Sequence, residues 1–427
     1  MVLTIHWKDC GFSLKQIRSV ASRLERRLKE LKKVVEERKY SDDAGSLVVP
    51  TDTRHVAAAR VFANQCKDAE LLVIIGIGGS NLGAVAVQEA VLGKYYNLRS
   101  KLEVLYADTV DPNSLHHITN RVKDVIKAGK KVVINAISKS GTTTETIANF
   151  EVILEAIGKD KNAFVMVTTD GGTEFEALAK KHTFHTLQVP KHVGGRYSVF
   201  TTIGLFPLAV MGVDIERLVE GAHGMLQHCL RMDISSNPAL MLAAIAYLQH
   251  KKHRVHNTFV FSNDLHGYAL WYRQLLAESI GKSPSTGIIP TISVGSTDLH
   301  SVGQLDIAGP DLSYYRFVTV TSPVHHVTVP RLQKMCRPIP TVCGKSYRDL
   351  LSAIVQGTQT AFRKHKRRFI EIELPDTDED TIGGLLQAEM ISMMLLGHLL
   401  KINPFDQPAV EEYKEATRKI LASGKIC

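Results

Sequence analysis

A repeated order of apolar run, polar loop and helix constrains the fold of this chain more than any other feature. Leu71–Ile75 is wholly apolar and continues into the glycines of Gly76–Gly83. Lys131–Ile137 is mostly apolar and continues into Ser138–Thr146, which holds six hydroxyl side chains and one lysine. Short apolar runs of this kind are typical of parallel strands that helices cover on both faces. The order predicts a doubly wound α/β fold.

The same alternation of strands and helices continues through both halves of the 427-residue chain. In the first half we predict strands over residues 71–75, 102–107, 131–137 and 163–167, and helices over 84–91, 112–128 and 144–157. In the second half we predict strands over 257–261, 316–319 and 369–374, and helices over 266–279, 346–364 and 381–400.

This pattern predicts two α/β domains, over residues 46–210 and 211–400, with a boundary between residues 195 and 240. An N-terminal helix within 1–45 precedes them, and a C-terminal helix within 401–427 follows. Ser13 and Gln16 have the spacing of a capping box, so the first helix should begin there and run to about Lys39.

The net charge of +9 fits either a nucleic-acid partner or a small anionic substrate. Much of the excess lies in residues 23–39 and 363–368, which have the pattern of solvated helix faces. No aromatic side chains interleave with these basic residues as a base-stacking surface would need. Charge therefore favours the small anionic substrate.

The six cysteines are scattered and form no CxxC pair, which argues against structural zinc and predicts reduced thiols. The N-terminus lacks the apolar core of a signal peptide. The longest apolar run, Ile203–Val213, is too short to span a bilayer and contains Pro207. The adjacent His325 and His326 have no acidic or cysteine ligand nearby. We expect a soluble, cytoplasmic protein with no metal.

The glycine-rich loop Gly76–Gly83 is suited to an anion, because glycines let backbone N–H groups approach it at a helix N-terminus. Ser80 adds a hydroxyl donor. The dinucleotide pattern would need glycine where Asn81 stands, although Asp108 at the end of the next strand is placed like a ribose-binding acid. A dehydrogenase, a phosphosugar enzyme and a turn without ligand all remain open at this point.

The hydroxyl-rich loop Ser138–Thr146 indicates a phosphate more specifically. Six hydroxyl groups are costly to bury without partners, and a helix cap needs only one or two of them. At the start of a helix they form a dense set of donors for one phosphate. Dinucleotide enzymes do not need a second loop of this kind, so it favours a phosphosugar.

Two segments offer a guanidinium and a carboxylate for catalysis. The two glycines before Arg196 suggest a tight turn that exposes the guanidinium, which could stabilise an oxyanion. Glu278 lies near a helix end with Gly281 as the cap, and Gln274 is one turn earlier on the same face. A carboxylate beside an apolar stretch can act as a base. A surface turn and a solvated glutamate are the alternatives.

A histidine and a lysine are weaker candidates. His300 lies among small polar residues in a loop, where it can serve in acid–base chemistry or simply cap a turn. Pro408 is suited to the first turn of a last helix, which places Lys414 about two turns in. A surface lysine is the alternative for Lys414.

Six motifs in order resemble the glucose-6-phosphate isomerase family, in its shorter bacterial type. They are GIGGSxLG, SKSGTTxET, GGRYS, ESxGK, STDLHSxGQ and NPFDQ, and the resemblance runs from about residue 70 to residue 414. The resemblance implies two sugar isomerase (SIS) domains, each a doubly wound α/β sandwich, and a C-terminal helical arm. It implies the interconversion of glucose 6-phosphate and fructose 6-phosphate in glycolysis and gluconeogenesis, without cofactor or metal.

The resemblance also implies roles for the residues that match the motifs. Glu278 would move a proton between C1 and C2, and Arg196 would stabilise the cis-enediolate. His300 would open the sugar ring with Lys414 close by, and it would enter from the neighbouring subunit of a homodimer with shared active sites. The residues implied to contact substrate are Gly79, Ser80, Ser138, Lys139, Ser140, Thr143, Gln274 and Gln407.

The chain departs from the family pattern at two places. Ile280 replaces the usual polar residue in ESxGK, and Pro408-Ala409 replaces the usual Pro-Gly, which could shift the start of the last helix and with it Lys414. Other functions stay open: a sugar-phosphate-binding regulator, which would need none of Glu278, Arg196 or His300, an isomerase that also accepts mannose 6-phosphate, and a dehydrogenase.

Overall fold

The computed structural model describes residues 3–158, 160–331 and 338–424. Its strands are β1 (Thr4–His6), β2 (Ala69–Ile75), β3 (Glu103–Ala107), β4 (Lys131–Ile137), β5 (Ala163–Asp170), β6 (His185–Val189), β7 (Val255–Val260), β8 (Ile289–Val294), β9 (Ser313–Val320) and β10 (Arg368–Leu374).

The described ranges also contain fifteen α-helices. They are α1 (Leu14–Ala21), α2 (Glu25–Glu37), α3 (Arg54–Ala63), α4 (Leu82–Val87), α5 (Pro112–Lys127), α6 (Thr144–Ile157), α7 (Glu174–Lys181), α8 (Thr202–Met211), α9 (Ile215–Cys229), α10 (Pro238–Gln249), α11 (His266–Ile280), α12 (Gly303–Ala308), α13 (Tyr347–Lys364), α14 (Glu379–Leu400) and α15 (Pro408–Ser423).

The first sheet has five parallel strands in the order β3-β2-β4-β5-β6. Residues 71–75 of β2 are fully buried, because the sheet is covered on both faces. Strand β2 pairs with β3 on one side and with β4 on the other. Successive strands are therefore added in opposite directions from the point where β2 and β4 are neighbours. The loops after these two strands therefore lie side by side at the carboxyl edge, the usual ligand position in such sheets.

The second sheet repeats this order as β8-β7-β9-β10, and β1 is added antiparallel at the β10 edge. The predicted class of two doubly wound α/β sheets with a C-terminal helix is confirmed. Strands β1, β6 and β8 were not predicted from the sequence. Strand β1 has only three residues, and β6 and β8 are half-exposed edge strands that lack a continuous apolar run.

Helix α14 occupies the centre of the molecule. It is long and apolar enough to cross a membrane by length and composition, yet 94% of its most apolar window is buried inside the protein. Its apolar sequence is explained by burial on every side. Glu389 in this helix is fully buried, forms an ion pair with Arg316, and accepts a hydrogen bond from Tyr268 at 2.9 Å.

The N-terminal segment differs in part from its prediction. Ser13 and Gln16 form the predicted capping box. The predicted single helix is instead two helices, α1 and α2, joined by a 3₁₀ turn over Ser22–Leu24. Helix α2 ends at Glu37, where Arg38 takes a left-handed backbone conformation. The domain limits at residues 45, 210 and 400 stay a prediction, and β1 links the N-terminal segment to the second sheet.

Candidate active site

The guanidinium of Arg196 is the point at which three distant segments meet. Arg196 lies in the 3₁₀ turn Gly195–Tyr197 and is 2% exposed. The prediction that this turn exposes the guanidinium is therefore wrong. Its Nη1 donates to Glu278 Oε2 at 3.0 Å and to Gln407 Oε1 at 2.8 Å. Its Nε donates to Ser279 Oγ at 3.0 Å, and its Nη2 donates to the Pro404 carbonyl at 2.6 Å. These contacts hold the positive charge in one orientation.

Both carboxylate oxygens of Glu278 have partners on different elements. Gln274, one turn earlier on α11, donates from Nε2 to Glu278 Oε1 at 2.8 Å, and Arg196 binds Oε2. The Glu278 side chain is 29% exposed, which leaves it accessible to a ligand. Gly281 caps the helix as predicted, with its N–H donating to the Ala277 carbonyl. The carboxylate is therefore held firmly but is still reachable.

The glycine-rich loop packs directly on this arginine and glutamine. A Cβ on Gly79 would lie 2.3 Å from the carbonyl carbon of Gly195 and 2.5 Å from the Arg196 nitrogen. Gly78 has a φ of +61°, and a Cβ there would lie 2.8 Å from Gln274 Nε2. Only glycine allows this approach. The loop thus places Gly79 and the half-buried Ser80 beside the Arg196 turn.

Asp108, the candidate ribose-binding acid, has a partner within the protein. Asn81 is 1% exposed and donates from Nδ2 to Asp108 Oδ2 at 3.1 Å. This bond ties the start of α4 to the end of β3. Asn81 and Asp108, the two residues on which the dinucleotide-binding alternative depends, are therefore hydrogen-bonded to each other.

The hydroxyl-rich loop lies at the carboxyl end of β4, next to the glycine-rich loop. Ser138 Oγ donates to Thr143 Oγ1 at 3.1 Å, and the Ser140 and Thr142 hydroxyls are also 3.1 Å apart. Lys139 Nζ donates to the Lys191 carbonyl at 2.6 Å. Burial lowers the pKa of the Lys139 ammonium. The loop is a compact set of hydroxyls and one ammonium at the N-terminus of α6, a favourable position for an anion.

His300 and Lys414 are not joined to this cluster within one chain. His300 lies in the 3₁₀ turn Thr297–His300 after β8 and is exposed. In the part of the chain that the structure describes, neither residue forms a hydrogen bond or ion pair with Glu278 or Arg196. Lys414 instead donates to Glu411 Oε1 at 2.7 Å, on the same helix.

Helix α15, which carries Lys414, has no buried residue along its whole length. Tyr413, Ile420 and Leu421 on this helix are each about half exposed. The helix begins at Pro408, so the Pro408-Ala409 departure does not displace its start.

Lys282 also belongs to the site, although it was not predicted from the sequence. Its Nζ donates to the Glu278 carbonyl at 2.7 Å and to Asp406 Oδ1 at 3.0 Å, and it also donates to the Asp406 carbonyl. Arg196 Nη2 donates to that same carbonyl at 3.2 Å. Lys282 lies in the motif ESxGK and Asp406 in NPFDQ, but no sequence signal indicates that these two residues, 124 positions apart, form a pair.

Three comparisons with known proteins bear on this arrangement. The profile of the phosphoglucose isomerase family matches residues 52–304. A glucose-6-phosphate isomerase from Streptococcus gordonii is 34% identical over 392 residues, which cover 88% of this chain and 86% of that protein.

Solved structures agree in fold. A hypothetical protein from Thermus thermophilus is 29% identical, with a TM-score of 0.87 over 99% of this chain and all of that one. A glucose-6-phosphate isomerase from Chlamydia trachomatis is 19% identical, with a TM-score of 0.83 over 99% of this chain and 89% of that one. The similarity to the second structure concerns the fold alone.

Proposed function

This chain belongs to the phosphoglucose isomerase family, and we propose that it interconverts glucose 6-phosphate and fructose 6-phosphate in glycolysis and gluconeogenesis. The observation that supports this reaction most directly is the cluster of Glu278, Arg196 and Gln274. An aldose–ketose isomerisation needs a base near C1 and C2 and a positive charge for the enediolate oxygen. The cluster holds one of each, 3.0 Å apart.

Proton transfer begins at Glu278 in this proposal. The carboxylate removes the proton from C2 of the open-chain aldose and returns it to C1, and the enediolate forms between the two steps. The hydroxyl proton of O2 passes to O1, so that the carbonyl group moves from C1 to C2. Arg196 stabilises the negative charge on the enediolate oxygen. Gln274 keeps the carboxylate oriented and contacts the ligand, as does Gln407. The proton moves within one substrate and no hydride leaves it, so the reaction needs neither a nicotinamide nor a metal.

The phosphate is held away from the reacting carbons. We assign this role to Ser138, Lys139, Ser140 and Thr143. The Ser138–Thr143 and Ser140–Thr142 hydroxyl pairs would give up their present hydrogen bonds for bonds to the phosphate, and Lys139 would add its ammonium group. Gly79 and Ser80 flank the sugar. Binding energy from the phosphate orients C1 and C2 beside the base. The phosphate thereby supports a reaction that occurs several atoms away.

Ring opening is assigned to His300 of a second copy of the chain, with Lys414 close by. His300 is exposed and forms no bond to its own chain's Glu278, which suits a residue that acts across a dimer interface. The uncovered helix α15 provides a surface for the same interface. We therefore propose a cytoplasmic homodimer with shared active sites and with neither a nucleic-acid nor a membrane partner.

Conversion of fructose 6-phosphate to glucose 6-phosphate, with EDTA present and no nucleotide, tests the reaction and its base together. Glu278→Gln should lower kcat by about 10²- to 10⁴-fold, the usual contribution of a general base. Glu155→Gln is the matched control, because Glu155 stands three residues before Gly158 at the end of α6 as Glu278 stands before Gly281.

Full activity of the Glu278 variant would keep the isomerase but remove Glu278 as its base. An inactive but folded parent would reject the reaction and favour a sugar-phosphate-binding regulator. The same assay with mannose 6-phosphate decides whether the enzyme also accepts that epimer.

A further inference from the structure

The second sheet has the connection order of the first, and its carboxyl edge forms a cavity of its own. β7 pairs with β8 on one side and β9 on the other, as β2 pairs with β3 and β4. In both sheets the chain passes from the central strand through a short 3₁₀ turn into a helix, at Gly78–Ser80 and at Asn263–Leu265. Ligands of open α/β sheets bind at this reversal point.

A cavity of about 620 Å³ opens at this edge of the second sheet. It is lined by the loop Ser262–Asp264 after β7 and by Thr321 and His325 after β9. Its size lies within the usual range of small-molecule pockets. None of the residues assigned to the isomerase reaction lines it. The cavity is therefore a separate potential site on the domain that the substrate phosphate does not use.

The walls combine apolar surface with carboxylates. Phe261, Leu351 and Val355 supply the apolar part. Glu371 and Glu373 are two residues apart on β10, so both point to the same face of the sheet, and both line the cavity. The lining residues include three carboxylates, on Asp264, Glu371 and Glu373, and one guanidinium, on Arg348. With the histidines counted as neutral, negative charge is in excess. The cavity is thus locally acidic in a chain whose net charge is +9.

The carboxylates are held in place by neighbouring polar groups. Glu371 accepts from Thr319 Oγ1 at 2.7 Å and from Gln359 Nε2 at 2.8 Å, and both donors are buried. Glu373 lies 3.4 Å from His6 Nε2. Each carboxylate oxygen can accept more than one hydrogen bond, so both groups keep acceptor capacity toward the cavity. The acidic wall is a preorganised acceptor for a cation.

We propose that this cavity binds an aliphatic amine, with its ammonium group between the β10 carboxylates and its carbon chain on the apolar wall. An ammonium ion supplies the donors that carboxylates need, and the chain buries apolar area at the same time. A phosphate is less suited, because the loops here lack a counterpart to the six hydroxyls of Ser138–Thr146.

Calorimetric titration of the full-length protein with 1,6-diaminohexane, at constant ionic strength and pH 7.5, tests the proposal. 1,6-Hexanediol is the uncharged control of equal length. We expect the diamine to bind with a Kd of about 1 mM or lower and the diol not to bind. Glu373→Gln should weaken diamine binding by about fivefold, and Leu351→Trp should abolish it by filling the cavity.

Glu155→Gln serves again as the control, since it removes an exposed carboxylate elsewhere, and it should bind the diamine like the parent. Isomerase activity checks that each variant is folded, because none of the three changes touches the proposed catalytic residues. Absence of diamine binding, equal binding of the diol, or a Glu373 variant that binds like the parent would each overturn the proposal. Binding of inorganic phosphate that Arg348→Gln abolishes would overturn the amine assignment in favour of an anion.

Discussion

Lys282 Nζ lies 3.0 Å from Asp406 Oδ1 and also donates to two main-chain carbonyls, those of Glu278 and Asp406. The ammonium group thereby joins the end of helix α11 to the segment that leads into α15. The side chain of Lys282 is 12% exposed, whereas that of Asp406 is 52% exposed. The bond to the Glu278 carbonyl is half-buried, whereas both bonds to Asp406 are exposed, so the Glu278 carbonyl is the better-shielded part of this contact.

Lys282→Met should lower kcat for isomerisation by about tenfold, because the variant removes the donor to the Glu278 carbonyl and one of the two donors to the Asp406 carbonyl, and so loosens the segment that carries Gln407. Asp406→Asn should change kcat by less than about threefold, because the carbonyl bonds to Lys282 remain. Steady-state kinetics of both variants measure this, with Lys282→Arg as the charge-preserving control. Equal losses in the Lys282 and Asp406 variants would contradict the ranking.

Two inactive variants should restore activity when they are mixed. A dimer with Glu278→Gln in one subunit and His300→Ala in the other has one site with both native groups. Random exchange of subunits makes half of the dimers mixed, so activity should recover to about a quarter of the parent value. The assay uses the two variants separately and after joint refolding. Recovery near zero would show that both groups act from the same chain.

Gly79→Ala should nearly abolish activity. The added Cβ would lie 2.3 Å from the Gly195 carbonyl carbon, so the turn that carries Arg196 must move. A displacement of about 1 Å at such a group costs about 10²-fold in rate. Gly224→Ala is the matched control, because among the described residues no atom beyond its chain neighbours and its own helix backbone lies within 4 Å of the added Cβ in helix α9.

The control variant should keep full activity and gain about 0.5–1 kcal/mol of stability, since alanine favours the helix interior over glycine. Kinetics and thermal unfolding of the two alanine variants check both statements. Normal kinetics of Gly79→Ala would contradict the packing of the loop on Arg196.

Acid should destabilise the fold partly through His256. Burial, followed by the nearby Arg316 charge, lowers the pKa of His256 to about 3. The unfolded histidine has a pKa of about 6.5, so between about pH 6.5 and 3 the unfolded state binds one more proton. Stability contributed by neutral His256 is therefore full above about pH 6.5 and is lost as pH falls, by about 1.4 kcal/mol per pH unit.

His256→Phe keeps a ring against Tyr314 and removes this titration. Its free energy of unfolding in urea should fall less steeply than that of the parent between pH 6 and pH 4. His117→Gln, at an exposed position on α5, should leave the slope unchanged. A slope for His256→Phe equal to that of the parent would contradict the buried, neutral state of His256.

The local features of the fold follow from the amino-acid sequence. Apolar runs such as Leu71–Ile75, the Ser13–Gln16 capping box and the start of α15 at Pro408 depend on neighbours in the chain, and all were predicted. The conformational freedom of glycine and the donor density of Ser138–Thr146 are likewise properties of short segments. These local features, together with the order of six motifs, were sufficient for the fold class and the family.

Which side chains contact one another depends on contacts between distant segments of the chain. Arg196 looked like a turn residue on the surface, and Lys282 had no assigned role, because burial and partners depend on segments more than a hundred residues away. Edge strands β1, β6 and β8 exist because a neighbouring strand offers unpaired N–H and C=O groups, which leave no mark in their own composition. Long-range contacts of this kind, through close packing and hydrogen bonding, place the guanidinium of Arg196 beside Glu278 and open the acidic cavity at the second sheet.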